Sequence, residues 1–84
     1  MNENDPEATF SVYTFKIDIQ IIRNTSENLS GQIGLFTITG QKIHEEHLSN
    51  SQRSVISVNV PTGYYILQII TNQYVYNKKI LIIN

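Results

Sequence analysis

No segment of this 84-residue chain places apolar residues at i, i+3, i+4 and i+7 over helical length, and Ala occurs once. Four stretches instead alternate apolar and polar residues with period two, the pattern of strands that bury one face. From Phe15 to Arg23 the sequence sets Phe15, Ile17, Ile19 and Ile21 on one face and Lys16, Asp18 and Gln20 on the other. Phe10 to Tyr13 alternates more weakly, as a separate short strand or as the start of the same one. Gln32 to Thr39 points Ile33 and Leu35 one way and Phe36 and Ile38 the other. Ile56, Val58 and Val60 alternate with Ser57 and Asn59, and from Gly63 onward Tyr65, Leu67 and Ile69 share a face.

The connections are equally legible. Asn24 to Gly31 and Ser49 to Arg53 are rich in residues that bond their own backbone or tolerate unusual dihedrals. Thr39-Gly40 punctuates a hairpin from which Lys42 to Leu48 pairs back, and Thr71-Asn72-Gln73 turns the chain into its last strand. Six or seven short strands without a helix predict an all-β fold, a small antiparallel β-sandwich with the immunoglobulin-like arrangement favoured at this length. A small closed barrel is the competing architecture. Residues 1–8, with three carboxylates and a proline, read as a disordered leader or linker, and residues 9–84 as the folded domain.

Composition narrows the function classes. A chain this short buries only ~60–65% of the surface its unfolded form exposes, which leaves little room for a deep catalytic pocket. The charge is −1 and the six basic residues are scattered, so no basic stripe exists to displace counterions from nucleic acid. Cysteine is absent, which removes disulfides and thiolate metal sites. The first eight residues lack the basic and apolar regions of a signal peptide, so an export signal, if used, is expected outside this chain. No apolar stretch reaches the ~18–20 residues of a spanning helix.

The last third carries the most information. Pro61 and Gly63 precede Tyr64-Tyr65-Ile66-Leu67-Gln68-Ile69-Ile70, and the chain closes on Tyr76-Asn77-Lys78-Lys79-Ile80-Leu81-Ile82-Ile83-Asn84. Pro61 fixes its own φ, Gly63 can take positive φ, and Tyr65 supplies a ring able to seal the mouth of a sandwich. Ile80 to Ile83 are consecutive, so whichever face enters the core leaves two apolar side chains on the other. Either the N-terminal segment, through Phe10 and Val12, covers them, or a partner docks there by strand addition or apolar contact, flanked by Lys78 and Lys79. A homodimer through this edge is a further expectation.

Three blocks in this order resemble the C-terminal sorting domain of cargo exported by the type IX secretion system of Bacteroidetes. They are the Leu35-Phe36-Thr37-Ile38-Thr39-Gly40-Gln41-Lys42-Ile43 hairpin, the Val60-Pro61-Thr62-Gly63-Tyr64-Tyr65 turn and strand, and the basic-then-apolar Tyr76 to Ile82. They span roughly Ile33 to Asn84, whereas Tyr13-Thr14-Phe15-Lys16 departs from the Tyr-Pro-Asn-Pro type turn usual at the start of such domains. The resemblance implies a non-enzymatic signal that directs a cargo protein across the outer membrane to the surface or the medium by way of the periplasm. It also implies outer-membrane secretion proteins as partners and Gly40, Pro61, Gly63 and Tyr65 as structural motif residues. A second resemblance, to small secreted Bacteroidetes sandwiches with a Gly-x-Tyr motif, implies the fold without the export role. The alternative function is then an adhesive or carbohydrate-binding accessory module, or a stand-alone structural protein.

Other constellations point to ordinary surface. His44-Glu45-Glu46-His47 has i, i+3 histidines where a zincin helix needs i, i+4, and on a strand the two rings face opposite ways. No metal or other cofactor is expected. Asp18 and Glu27 are not paired by any pattern, no nucleophile elbow, P-loop or dinucleotide fingerprint occurs, and no catalytic residue is assigned. Asn24-Thr25-Ser26 and Asn28-Leu29-Ser30 match a glycosylation acceptor pattern that means little in a bacterium. Tyr13, Tyr64, Tyr74 and Tyr76 are the candidates for an aromatic sugar platform, with Tyr64 and Tyr76 as prospective cross-strand neighbours.

Overall fold

A computed structural model describes residues 10–24, 30–48 and 52–84. The expected leader at 1–8, Glu27 and most of both acceptor patterns lie outside the described residues. The described residues form seven strands in two antiparallel sheets: β1 (Phe10–Phe15), β2 (Asp18–Arg23), β3 (Gly31–Thr37), β4 (Lys42–His47), β5 (Arg53–Ser57), β6 (Gly63–Thr71) and β7 (Val75–Ile82). One sheet has the order β1-β2-β5 and the other β4-β3-β6-β7. Each sheet buries its alternating apolar positions against the other: Ile19, Ile21 and Ile56 from the first meet Ile33, Leu35, Leu67, Ile69, Ile80 and Ile82 from the second. Fully burying side chains of this size stabilises by ~1.5–3 kcal/mol each, which is what holds two sheets together without a disulfide.

The alternation from Phe15 to Arg23 is two strands rather than one. Phe15 pairs with Asp18, and Lys16-Ile17 form a two-residue turn with Lys16 at φ 55°. Such hairpin turns favour residues at positive φ because their twist matches that of the strands. The turn inverts the parity of the inward positions. Phe10 and Val12 face in from β1 and Ile19 and Ile21 from β2, while Phe15 points out and is 67% exposed. Ile17 packs part-buried against the core.

The expected loops at 24–31 and 49–53 lie largely outside the described residues, and the described turns follow the expected chemistry with one correction. At the β3–β4 hairpin Thr37 N donates to Gln41 O and Gly40 N to Thr37 O, both at 2.9 Å, and Gly40 takes φ 99°. Gly63 is not at positive φ, and an added Cβ there would meet only Tyr65 Cε2 at 4.0 Å. It opens β6 in ordinary strand geometry, so conformational freedom is not its role. Gly31 is the demanding position: a Cβ would sit 1.8 Å from the Ile70 carbonyl oxygen where β3 passes β6. Tyr65 is buried, and its hydroxyl donates to Pro61 O at 2.6 Å. This is a tyrosine corner, a ring in the core tied back to the backbone a few residues upstream.

Candidate partner-docking edge

Among the described residues strand β7 has a hydrogen-bonded strand neighbour on one side only, β6, so its other side is a sheet edge. Its register sets Tyr64 opposite Leu81, Tyr65 opposite Ile80, Ile66 opposite Lys79 and Leu67 opposite Lys78. Ile80 and Ile82 face inward at 5% and 0% exposure, whereas Leu81 and Ile83 are 39% and 54% exposed. The four consecutive apolar residues therefore divide two and two. Phe10 and Val12 do not cover the outward pair: both are in the core, where the Phe10 ring stacks on Tyr76 at 6.2 Å between centroids.

Around that pair the outer face of β6 and β7 is largely apolar. Tyr64 is 55% exposed, Ile66 is half-buried, and Ile70 and Val75 lie opposite each other and exposed. Lys79 Nζ stands 4.7 Å from the Tyr64 ring centroid, and at the β4 edge of the same face Lys42 Nζ stands 5.6 Å from that of Phe36. Each ammonium sits over a π face, an arrangement worth ~0.5–1 kcal/mol at an exposed site. Lys78, on the other face, lines a groove between β1 and β7 with Phe10, Ser11, Val12, Tyr13 and Tyr76.

The end of the chain is pinned. Ile83 N donates to Lys16 O at 3.2 Å, crossing from the β6–β7 sheet to the β1–β2 turn. Asn84 N donates to Thr62 Oγ1 at 2.8 Å, and Asn84 Nδ2 donates to Val60 O at 2.8 Å and Asn59 Oδ1 at 3.1 Å. These bonds hold β7 in register from its last residues while leaving Leu81 and Ile83 outward. Tyr64 and Ile66 complete the surface and were not among the residues expected to contribute. Their signal was present, since they occupy the opposite parity to Tyr65 and Leu67.

The other candidates separate in space. Tyr64 pairs with Leu81 and Tyr76 with Ile69, so the two tyrosines are not cross-strand neighbours. Tyr76 is buried, Tyr74 half-buried, and Tyr13 exposed on the opposite sheet, which breaks up the sugar platform. His44 lies opposite Leu35 and His47 opposite Gln32, on different faces of β4, and His44 Nε2 and Glu46 Oε1 are 2.8 Å apart. Lys42 bonds Glu45, and this hydrogen bond, with the lysine charge, holds the Glu45 carboxyl below its usual range. Among the described residues no three His, Asp or Glu side chains gather as a metal site. Asp18 accepts from Ser57 Oγ at 2.6 Å.

Two antiparallel sheets packed face to face around one apolar core define a small immunoglobulin-like β-sandwich, and a solved structure has the same fold. It is a DUF3244 family protein with an immunoglobulin-like β-sandwich fold from Bacteroides vulgatus, with TM-score 0.75 and 17% identity over 92% of this chain and 86% of that one. Residues 12–83 match the family model of the secretion system C-terminal sorting domain, and the chain belongs to that family. No curated protein matches.

Proposed function

We propose that this domain is a non-enzymatic export signal, carried by a cargo protein and read by the outer-membrane machinery of type IX secretion. Residues Lys78 to Ile83 form the element that is read. Lys79, Leu81 and Ile83 supply the contacts, and Ile80 and Ile82 hold the strand in place from the core side. The cargo passes the periplasm under a separate signal peptide and ends at the cell surface or in the medium, where by family analogy the domain is removed. The observation that carries this reading is the family match over residues 12–83, which takes in all of β7. The outward Leu81 and Ile83 support it by giving the signal a surface.

Fusing residues 9–84 to a reporter in a Bacteroidetes host with this secretion system tests the proposal. Deleting Lys79 to Asn84 is a weak control, because it strips Ile80 and Ile82 from the core and unfolds the domain. The informative variant is Leu81→Ser with Ile83→Ser, which leaves the core intact. Export of the intact fusion, with retention of the double variant in the cell, is the expected result. A fusion that is never exported, or a double variant exported at the normal rate, refutes it.

A further inference from the structure

We infer that the free edge of β7 takes an acidic, extended segment of a protein partner as an added antiparallel strand, and that Lys78 and Lys79 select it. This inference rests on the export reading and names the chemistry of the partner that reading requires.

Charge distinguishes this edge. Neither β1, β6 nor β7 contains an Asp or Glu, and among the described residues the carboxylates lie elsewhere, on β2 and β4. Glu45 is held by Lys42, Glu46 by His44 and Asp18 by Ser57. Lys79 has a ring beneath it, but neither it nor Lys78 has an ion pair with a described residue. Two cations at the middle of that edge, with no acid nearby among the described residues, complement a strand that brings its own carboxylates.

Strand geometry sets the spacing of the partner's residues. Lys78 and Lys79 are consecutive and so lie on opposite faces of the strand. A complementary strand therefore needs two consecutive acidic residues, one for each face. In antiparallel pairing the residue opposite Leu81 comes two positions before the one opposite Lys79, so an apolar residue there would extend the Tyr64–Leu81 patch. The segment is then apolar, any residue, acidic, acidic, in extended conformation. Every pairing already in both sheets is antiparallel, and an added strand of the same sense continues the ladder.

The same edge also rejects some partners. A second copy joined through β7 about a two-fold axis normal to the sheet keeps outer faces together. Its two centred registers then set Lys78 against its own counterpart, or Lys79 against its own. Like charges directly opposite are destabilising in a sheet. The same two residues thus disfavour self-pairing and favour an acidic strand, and that difference is specificity.

The test uses the whole isotope-labelled chain and two synthetic peptides of about nine residues, a length typical of strands. Both alternate Val and Thr; one carries Asp-Glu at its centre and the other Asn-Gln. The acidic peptide is expected to shift the amide resonances of β7 but not those of β4, and to bind more weakly as salt rises. Lys78→Glu with Lys79→Glu should weaken it about tenfold and should bind a Lys-Lys peptide in its place. Both side chains are exposed, and an unchanged melting curve shows that the variant is folded. No shift, equal binding of the Asn-Gln peptide, or shifts centred on β4 would overturn the inference. The two readings fail separately: an exported fusion that ignores the acidic peptide sinks only this one, and an unexported fusion sinks the export signal.

Discussion

Single alanine substitutions at Ile80, Leu81, Ile82 and Ile83 are expected to fall into two classes that alternate along the chain. Ile80 and Ile82 are 5% and 0% exposed members of the core, and truncating such a side chain to alanine costs ~2–5 kcal/mol. A chain of 84 residues is stable by roughly 4–13 kcal/mol in all, so either change removes a large share of it. A loss of about 3 kcal/mol lowers the midpoint of thermal unfolding by about 12–24 °C in a domain of this size. Leu81 and Ile83, at 39% and 54% exposure, should lose about 1 kcal/mol or less, and Ile83 keeps its backbone bond to Lys16 O whatever its side chain. Thermal and urea unfolding of the four purified variants measures this directly, and reporter export adds the functional axis. Ile80→Ala and Ile82→Ala should fail export through unfolding, Leu81→Ala and Ile83→Ala while still folded. Four similar losses of stability would mean that the outward pair is covered after all, and the docking surface would disappear with it.

Three further outcomes test the fold and its electrostatics. Gly31→Ala should destabilise by ~2–5 kcal/mol, because relieving a Cβ 1.8 Å from Ile70 O strains the strand and loosens the Leu48 N to Gly31 O and Asn72 N to Ser30 O bonds. Gly63→Ala, with open space and no positive φ, should be neutral or slightly stabilising, and unfolding curves of the two variants measure the contrast. Tyr65→Phe removes the hydrogen bond to Pro61 O and should cost about 1 kcal/mol, read as a midpoint ~4–8 °C lower in a melting scan. Lys42→Ala should raise the Glu45 carboxyl toward its ordinary value in a carbon-detected NMR titration. Because the folded value lies below the unfolded one, the contribution of this pair is present above the unfolded pKa and fades as pH falls through the folded one.

Where parity alone determines a position, the sequence sufficed. Ile33 and Leu35 inward with Phe36 outward, the inward set Tyr65, Leu67 and Ile69, and the two-and-two division of Ile80 to Ile83 all follow from period two. Parity misleads where a turn leaves no compositional mark. Lys16-Ile17 contains no Gly, Pro, Asn or Asp, and the left-handed Lys16 is held there because Phe15 and Asp18 already pair around it. The apolar-polar rhythm therefore runs across the turn, and Phe15 is assigned to the face opposite its real one. Gly63 misleads in the other direction: a Pro-x-Gly run suggests a special dihedral, but the tie that shapes this corner is the Tyr65 hydroxyl on Pro61 O. The crowding at Gly31 depends on where β6 lies, a long-range fact no local pattern contains.

The proposed use of β7 has support in how the edges of the two described sheets differ. Sheets guard their edges with charge, brevity or cover, since an unpaired ladder invites another chain. On β4, five of six residues are Lys, His or Glu, and the Lys42–Glu45 and His44–Glu46 pairs lie along it. β5 is five residues long and begins at an exposed Arg53, which bonds Gln20 across the sheet at 2.8 Å. β1 stands beside the groove it shares with β7, and its ring contact with Tyr76 ties it to the core. β7 is eight residues long, pinned at its far end, apolar outward at Val75 and Leu81, and defended only by two lysines at its middle. Lysines at that place keep a long apolar edge from pairing with itself in its centred registers while remaining compatible with a strand of opposite charge.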